Sequence, residues 1–458
     1  MKNALNLWMK AACAAAWLAA PAARAVTLDE AVQAALENSP TLQAAESRID
    51  SAQALLRQAK SYDYPSIGLS ATYARSDNPP QAFMMTLNQR SLNMMDPAFN
   101  PNEPDDTENL RGSVTAQWRL FDLQRDAGKR MAGHGAAASA EAFAAARNQL
   151  VHEVTRGFHG VLQAQAFANV QAQAVKSIEE SLRIAQERFD AGGAVKTDVL
   201  NLETQLAQAN EDLIKARNGA QLALAALNAA IGSDLVAADT IATPDSAAFD
   251  APPPECKDPE AFENRPELRA ARLMRQVKEQ DLRKAKGGYA PTISAFGSLD
   301  ADSDASSDFE QSYMAGVMAE INIFDGARTR AAVQAAQAEL AAAQADEQKA
   351  RLNLKLDLQQ AFLGTREAWE RLGVVRKSLE TAQEAQRIVQ EQYQQGAADI
   401  SILLQTQVGV TAMQTRSAAA QYDYLTALSN LQRAKGELGN SQYSESSIQD
   451  SESGPQSF

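Results

Sequence analysis

Residues 110–120 read Leu-Arg-Gly-Ser-Val-Thr-Ala-Gln-Trp-Arg-Leu, and the fold turns on them. Side chains of an extended chain point to opposite faces in turn. Here Leu110, Val114, Ala116, Trp118 and Leu120 share one face, against Arg111, Ser113, Thr115, Gln117 and Arg119 on the other. The alternation predicts a strand with one apolar and one wet face. Its length is close to the ~9–11 residues of a tilted membrane-spanning strand. A second such stretch precedes it: residues 66–75 set Ile67, Leu69, Ala71 and Tyr73 against Gly68, Ser70 and Thr72.

Working outward, the strand runs into Leu120-Phe121-Asp122, which returns as Ile323-Phe324-Asp325 at an offset of 203. Asn38-Ser39-Pro40 returns as Asn264-Arg265-Pro266, and Ala59-Lys60 with Tyr64-Pro65 as Ala285-Lys286 with Ala290-Pro291, both at 226. Phe158 matches Phe362, and Glu187-Arg188-Phe189 with Gly192 matches Glu391-Gln392-Tyr393 with Gly396, at 204. The chain is thus written twice. The register jumps once, between Pro65 and Phe121, so one loop is about 23 residues longer in the first copy. The second copy carries its own alternating pair, residues 292–300 and 311–323. There Ile293, Ala295 and Leu299, then Tyr313, Ala315, Val317, Ala319, Ile321 and Ile323, share a face. Phe296 falls on the polar side.

Long helices flank these strands. Gly and Pro together are 39 of 458 residues, about 8.5%, against the ~12% of average usage, so breakers are few. Residues 124–190 hold no Pro and would extend ~100 Å as one helix. Val154, Val161, Ala168, Val175, Leu182 and Phe189 recur every seven residues, the spacing of a coiled-coil seam. Gly192-Gly193 breaks the run, and residues 194–231 return with Val199, Leu206, Leu213, Ala220 and Leu227 every seven. The second copy repeats this with helices over 327–395 and 398–438, turning at Gly396. Helical patterning also covers 27–63 and 258–288. We therefore expect a first repeat over 26–231, a connection over 232–258 containing Pro244 and Pro252-Pro253-Pro254, a second repeat over 259–440, and a disordered Ser-, Gln- and Glu-rich tail over 441–458.

Four strands cannot close a barrel, for which about eight is the minimum. An open sheet edge in lipid leaves backbone groups unpaired at several kcal/mol each. Copies of the chain must then combine. Two give eight strands, with an interior filled by side chains, while three give twelve and room for a conduit. Tyr62, Tyr64, Trp118, Phe121 and Phe324 gather near one end of the strands and Tyr73 and Tyr313 near the other, as two interfacial girdles would. Aromatics packed on a soluble sheet edge are the alternative.

The duplicated helix–hairpin–helix plan, the Arg188-Phe189-x-x-Gly192 turn and Thr197-Asp198-Val199-Leu200 after it resemble the TolC-type outer-membrane efflux proteins. The resemblance spans residues 26 to about 440. It implies a mainly α fold with a small β part: a homotrimer with a twelve-stranded barrel in the outer membrane, continued by a coiled-coil helical barrel across the periplasm. It implies docking on a periplasmic adaptor and an inner-membrane RND or ABC transporter, and the work of an exit duct for drugs, other small molecules or, in type I secretion, proteins. A periplasmic coiled-coil scaffold or adaptor is the competing reading. It would need no strands with wet inner faces, and no lipoyl-like all-β module is present.

The resemblance puts the periplasmic aperture at the helix turns 190–199 and 394–404. Thr197 and Asp198 match the family's Thr-Asp and Tyr393 its aromatic, groups whose interhelical bonds hold the tip shut. Gly192, Gly193 and Gly396 mark the tips that would meet an adaptor. Capping of the return helix by Thr197 or Asp198 is an equally simple role. The chain also departs from the family. The acidic pair expected after the second Gly is Ile402 and Gln405, and the basic partner is Ala398, with Asp399 the nearest acid. The salt-bridge latch and acidic ring are in question, and a hydrophobic constriction at Ile402 or Leu403 competes with them.

The N-terminus reads as a secretory signal over 1–25: Lys2 and Lys10, the apolar Ala11 to Ala20, and Ala23-Arg24-Ala25 for cleavage. A lipoprotein signal using Cys13 is the rival. Losing Lys2, Lys10 and Arg24 takes the net charge from −14 to −17, which suits no nucleic acid. Cys256 would be the one remaining thiol, so no internal disulfide forms. No cofactor loop, zinc-spaced cysteines or nucleophile–base pair stands out, and nothing points to an enzyme. His152 and His159, seven apart near Glu153, could bind a metal or sit in a helix seam. Met84-Met85 and Met94-Met95 in the long loop 76–109 could bind Cu(I) or pack locally.

Overall fold

The computed structural model describes residues 25–438 apart from 96–99, 101, 235, 237–240, 245, 255–259 and 305–307. The expected leader up to Arg24, Cys13, Cys256 and the tail 441–458 lie outside the described residues. The elements are α1 (Leu28–Asn38), α2 (Pro40–Ser61), β1 (Ser66–Ser76), α3 (Pro79–Asn88), β2 (Thr107–Phe121), α4 (Leu123–Asp190) and α5 (Lys196–Ile231). After the connection come α6 (Pro266–Lys286), β3 (Thr292–Ser303), β4 (Glu310–Glu320), α7 (Arg328–Gln394) and α8 (Ile400–Lys435). Short 3-10 turns over Ser246–Phe249, Ala261–Asn264 and Gly287–Tyr289 complete the set. Among the described residues no helix is long and apolar enough to cross a membrane.

One compact unit, residues 47–141 and 269–350, holds the sheet. It is antiparallel in the order β1-β2-β3-β4, so β1 and β4 each have a partner on one side only. The register lines up the two faces expected from the alternation. Leu69 stands opposite Val114, Val114 opposite Leu299 and Leu299 opposite Tyr313. All four are exposed, Leu69 and Tyr313 by more than 80%. The parallel row on the other face is Ser70, Ser113, Asp300 and Ser312. Exposed large apolar side chains in register across a whole sheet face are not what a water-facing sheet presents. Phe296 sits on the polar face because Gly316 lies opposite it: a Cβ at Gly316 would come within 2.7 Å of the ring.

Several boundaries differ from those expected. β4 stops at Glu320, short of Ile321 and Ile323, because its partner begins at Thr292, which pairs with Glu320. The stretch 76–109 is more than a loop: Pro79–Asn88 form α3, started by Pro in the first turn, where a missing N–H costs nothing. The single helical run expected over 27–63 is two helices. Pro40 holds Ser39 in the extended region, φ −66° and ψ 120°, which ends α1.

The recurring Phe-Asp pair has a structural cause. The Asp122 carboxylate accepts the backbone N–H of Gln124 at 2.9 Å and of Arg125 at 3.2 Å, capping α4 where the chain leaves β2. Asp325 does the same for α7, accepting the N–H of Thr329 at 3.0 Å. Each satisfies donors that a helix start otherwise leaves open.

The other unit, described over 25–46, 142–268 and 351–438 apart from the residues named above, is helical. Val32, Val154, Phe158, Val161, Leu227 and Ile231 form one of its cores. Here the recurring Asn-x-Pro also finds its use. α5 ends at Gly232 (φ 80°), where a Cβ would lie 2.9 Å from the Asn38 carbonyl oxygen. α8 ends at Gly436 (φ 77°) against Arg265, the middle residue of Asn264-Arg265-Pro266. Each repeat's last helix thus closes on its own Asn-x-Pro.

The heptad seam holds only in part. Val154, Val161 and Val175 are buried, but Phe189 is exposed, and Ile178, Ser181 and Ala185 have taken over the buried stripe. A straight helix drifts ~20° per heptad against a strict seven-residue repeat, which moves the stripe around the axis.

Candidate functional site

The two hairpin turns meet in one core. Val199 and Leu202 of α5 and Ile178 and Ala185 of α4 pack with Tyr393, Ile400 and Leu403 from the second hairpin. Both turns use a left-handed glycine, Gly192 at φ 74° and Gly396 at φ 76°. At each, the glycine N–H bonds back to the carbonyl of the aromatic three residues before, Phe189 O at 2.9 Å and Tyr393 O at 3.0 Å. Gly192, Gly193 and Gly396 are exposed.

Arg188 joins the turns. Its Nη1 donates to the Tyr393 carbonyl at 2.6 Å and its Nη2 to the Gly193 carbonyl at 3.3 Å. Both acceptors lie at helix C-terminal turns, where the dipole is negative, so one guanidinium bridges two helix ends. Its carbon lies 5.0 Å from the Tyr393 ring centroid, a cation–π geometry. A side chain at Gly396 would crowd the same guanidinium, its Cβ 3.3 Å from Nη2. Arg188 was visible in the sequence only as part of a turn motif. The signal for its role was the asymmetry of the duplication, since its counterpart Gln392 carries no charge.

Tyr393 is buried, 3% exposed, and its hydroxyl has no partner among the described residues. Burial pushes its pKa up, against the pull of Arg188 and with the help of Asp198 and Asp399, which places both carboxylates in its field. Asp399 caps α8: it accepts the Ser401 N–H at 2.8 Å and the Ser401 hydroxyl at 2.7 Å. Those two bonds hold its carboxyl below the usual range. The capping expected of Thr197 or Asp198 is not made. Val195 is the cap residue of α5, with no side-chain bond, and Asp198 lies in the first turn where it only favours the dipole. Thr197 is exposed. Ile402 is 48% exposed, whereas Leu403 is buried in the core between the turns. Gln405 is exposed.

Behind the turns, α4 and α8 share a buried polar contact the sequence did not single out. Gln407 donates to the Ser181 hydroxyl at 2.7 Å and lies 3.4 Å from that of Ser177. Its only sequence mark is spacing, four residues after buried Leu403 and three before buried Val410. A charge cluster was equally silent. Buried Arg265 pairs with Glu267 at 2.6 Å and with Asp357, which Arg433 also reaches at 2.9 Å. Burial pushes the Asp357 pKa up, but the two guanidinium groups outweigh it and leave it low.

The histidines go separate ways. His152 Nδ1 lies 3.4 Å from the Ser429 hydroxyl. His159 is buried edge-on to Phe158, its Nδ1 without a partner. Burial pushes its pKa down to about 4. Among the described residues no group of three His, Cys, Asp or Glu is placed to hold a metal. Met84 and Met85 lie on α3, and Met94 and Met95 are exposed beyond it.

A sheet with one exposed apolar face and, among the described residues, two unpaired edges, together with helices 36 to 68 residues long, defines an outer-membrane conduit protein. The chain belongs to the outer membrane efflux protein family, whose model matches residues 31–233 and 259–437. It is 24% identical over 355 residues to the alkaline protease secretion protein AprF of Pseudomonas aeruginosa, covering 73% of this chain and 71% of AprF. It is 25% identical over 321 residues to the fusaric acid resistance protein FusA of Burkholderia cepacia, covering 68% of this chain and 58% of FusA. Its fold matches that of the outer membrane protein VceC of Vibrio cholerae with a TM-score of 0.77 at 17% identity, over 89% of this chain and 96% of VceC. The protein is a channel of the efflux and secretion class in the outer membrane, and the scaffold reading falls with that.

Proposed function

We propose that three copies close their sheets into one twelve-stranded barrel in the outer membrane, and that the helical hairpins extend it into the periplasm as an exit duct. The observation that carries this is the sheet itself: β1 and β4 each lack a neighbour on one side while the apolar face is exposed. In lipid such edges must be paired, and only further copies of the chain can pair them. The paired turns at Gly192-Gly193 and Gly396 are the periplasmic tips. They dock on a periplasmic adaptor that connects the duct to an RND or ABC transporter in the inner membrane. Export with removal of residues 1–25 delivers the chain to that location.

The aperture lies at the same turns. Arg188 ties them within each copy around the buried Tyr393, while Thr197 and Asp198 face bonds to the neighbouring copy. Ile402, exposed where the family carries an acid, makes the narrowest ring hydrophobic, with Asp399 and Gln405 beside it and Leu403 backing it from the core. The test is electrophoresis without heating, followed by recording in planar bilayers. A heat-labile trimer that conducts supports the duct, and a monomer that inserts without conducting overturns it. Ile402→Asp should raise closed-state leak and cation selectivity, and unchanged leak and selectivity would remove the hydrophobic ring.

A further inference from the structure

The first repeat's long connection holds a helix, where the second leaves only six residues between β3 and β4, and that helix reaches across the sheet. α3 follows β1 in sequence and packs on β2 and on β4. Two attachments of different character hold its C-terminal end. The first is buried. Gln89 Nε2 donates to the Asn109 side chain at 3.0 Å and to the Glu108 carbonyl at 2.6 Å. Asn109 donates to Asp302 at 2.6 Å, and Arg111 donates to the same carboxylate oxygen at 2.8 Å. Gln89 and Asn109 are 6% exposed and Asp302 1%. The second is open to solvent. Arg90, in the left-handed region at φ 52°, reaches the Glu310 carboxylate at 3.0 Å and the Gln311 carbonyl at 3.2 Å. A non-glycine residue in that region is strained and persists only where its surroundings hold it there.

The face these contacts occupy is decided by register. Asn109, Arg111 and Ser113 alternate on the polar side, and Arg111 stands opposite Asp302 in the same row as Ser113 opposite Asp300. α3 is therefore anchored on the wet face of the sheet, away from the exposed apolar row of Leu69, Val114, Leu299 and Tyr313. In a barrel closed from three copies the wet face is the lumen, and three α3 helices enter it at the strand ends remote from α4 and α7.

We propose that α3 is a second constriction of the duct, at its outer mouth, and that it sets the size of solute that passes there. Gln89, Asn109 and Asp302 fix its position, and the Arg90–Glu310 pair is a latch exposed enough to release when cargo pushes outward. This rests on the barrel reading above, so the test must separate the two.

Ser113→Cys, in a Cys13→Ser, Cys256→Ser background, places a thiol on the wet face below α3. Intact cells are labelled from outside with a bulky polyethylene-glycol maleimide and with a small charged methanethiosulfonate. Arg90→Glu should speed labelling by the bulky reagent about fivefold, the upper end of what an exposed ion pair holds in place. Labelling by the small reagent should change little. Restoring the pair in reverse, Arg90→Glu with Glu310→Arg, should return the slow rate, which a folding defect would not do. Equal rates for the bulky reagent in all three chains would overturn the constriction while leaving the barrel intact. No labelling even after Pro79–Asn88 are replaced by a Gly-Ser linker would mean that Ser113 faces no lumen, and both readings would fall.

Discussion

Arg188 is the residue on which the resting state of the turns depends. It makes two charge-assisted hydrogen bonds and one cation–π contact, together worth roughly 2–4 kcal/mol to the joined turns. Arg188→Ala should free each hairpin end and raise channel conductance in bilayers. Arg188→Lys should fall between, because an ammonium keeps the charge but not the planar fork that spans two carbonyls. Unchanged conductance in Arg188→Ala would remove Arg188 from the aperture. A second single-residue effect concerns acid. His159 is held neutral, its pKa lowered by burial from 6.5 to about 4. The unfolded chain therefore binds more protons than the folded one between those values. The contribution of His159 to stability is full above pH 6.5 and is lost by up to about 1.4 kcal/mol per pH unit down to about pH 4. In a chemical-denaturation series over that range, His159→Leu should flatten the slope; an equal slope in both chains would locate the acid sensitivity elsewhere. Only a trace of this was legible beforehand: the seam was one of two readings of His159, and Gln392 opposite Arg188 in the repeat was the one mark of its role. A lone histidine on a long helix gives no sign of whether it faces a seam or solvent, and Arg188 read as one letter of a weak motif.

At the scale of elements, the strand faces were legible because their period is two and burial enforces it: one slip would put Leu69 and Val114 into the lumen. Helix existence was equally plain from the absence of breakers. The ends were read less well, and the misses share a cause. β4 stops where its partner stops, and α1 stops where Pro40 dictates, which are facts about neighbours and about backbone geometry. α3 was missed because Pro79-Pro80 reads as a loop signal when it is in fact a helix start. The caps at Asp122 and Asp325 were quoted from the sequence as repeats without a role. Their structural role makes a forecast. Asp122→Ala removes a cap and the 3.2 Å bond from Arg119, and should lower stability by about 1–2 kcal/mol. Asp122→Asn should recover most of the loss, since an amide oxygen caps as well. A midpoint shift of equal size in both variants, measured by denaturant melting of the purified protein, would mean that charge and not capping is what matters.

The whole molecule is incomplete in a way that one substitution series can expose. A strand at a true edge has every second N–H pointing to solvent, and proline is tolerated at those positions. A strand inside a closed barrel donates on both sides, so proline is tolerated at none. β1 pairs with β2 along its full length from Ser66 to Ser76, with no strand on its other side among the described residues. Leu69→Pro and Ser70→Pro lie next to each other near its centre, so one removes an N–H aimed at β2 and the other an N–H aimed away. If β1 is a free edge, one of the two variants should behave like the parent. If the neighbouring copy's β4 completes the ladder, both should lose the heat-labile trimer, because each breaks a backbone bond that lipid offers no water to replace. The same pair of variants bears on why the apolar face and the edges of the sheet lie uncovered in the single chain. In the trimer proposed above, the second half of each barrel seam comes from another copy, so the apolar face and the edges would be finished only on assembly. Loss of the trimer in both variants is the outcome that this economy of the single chain demands.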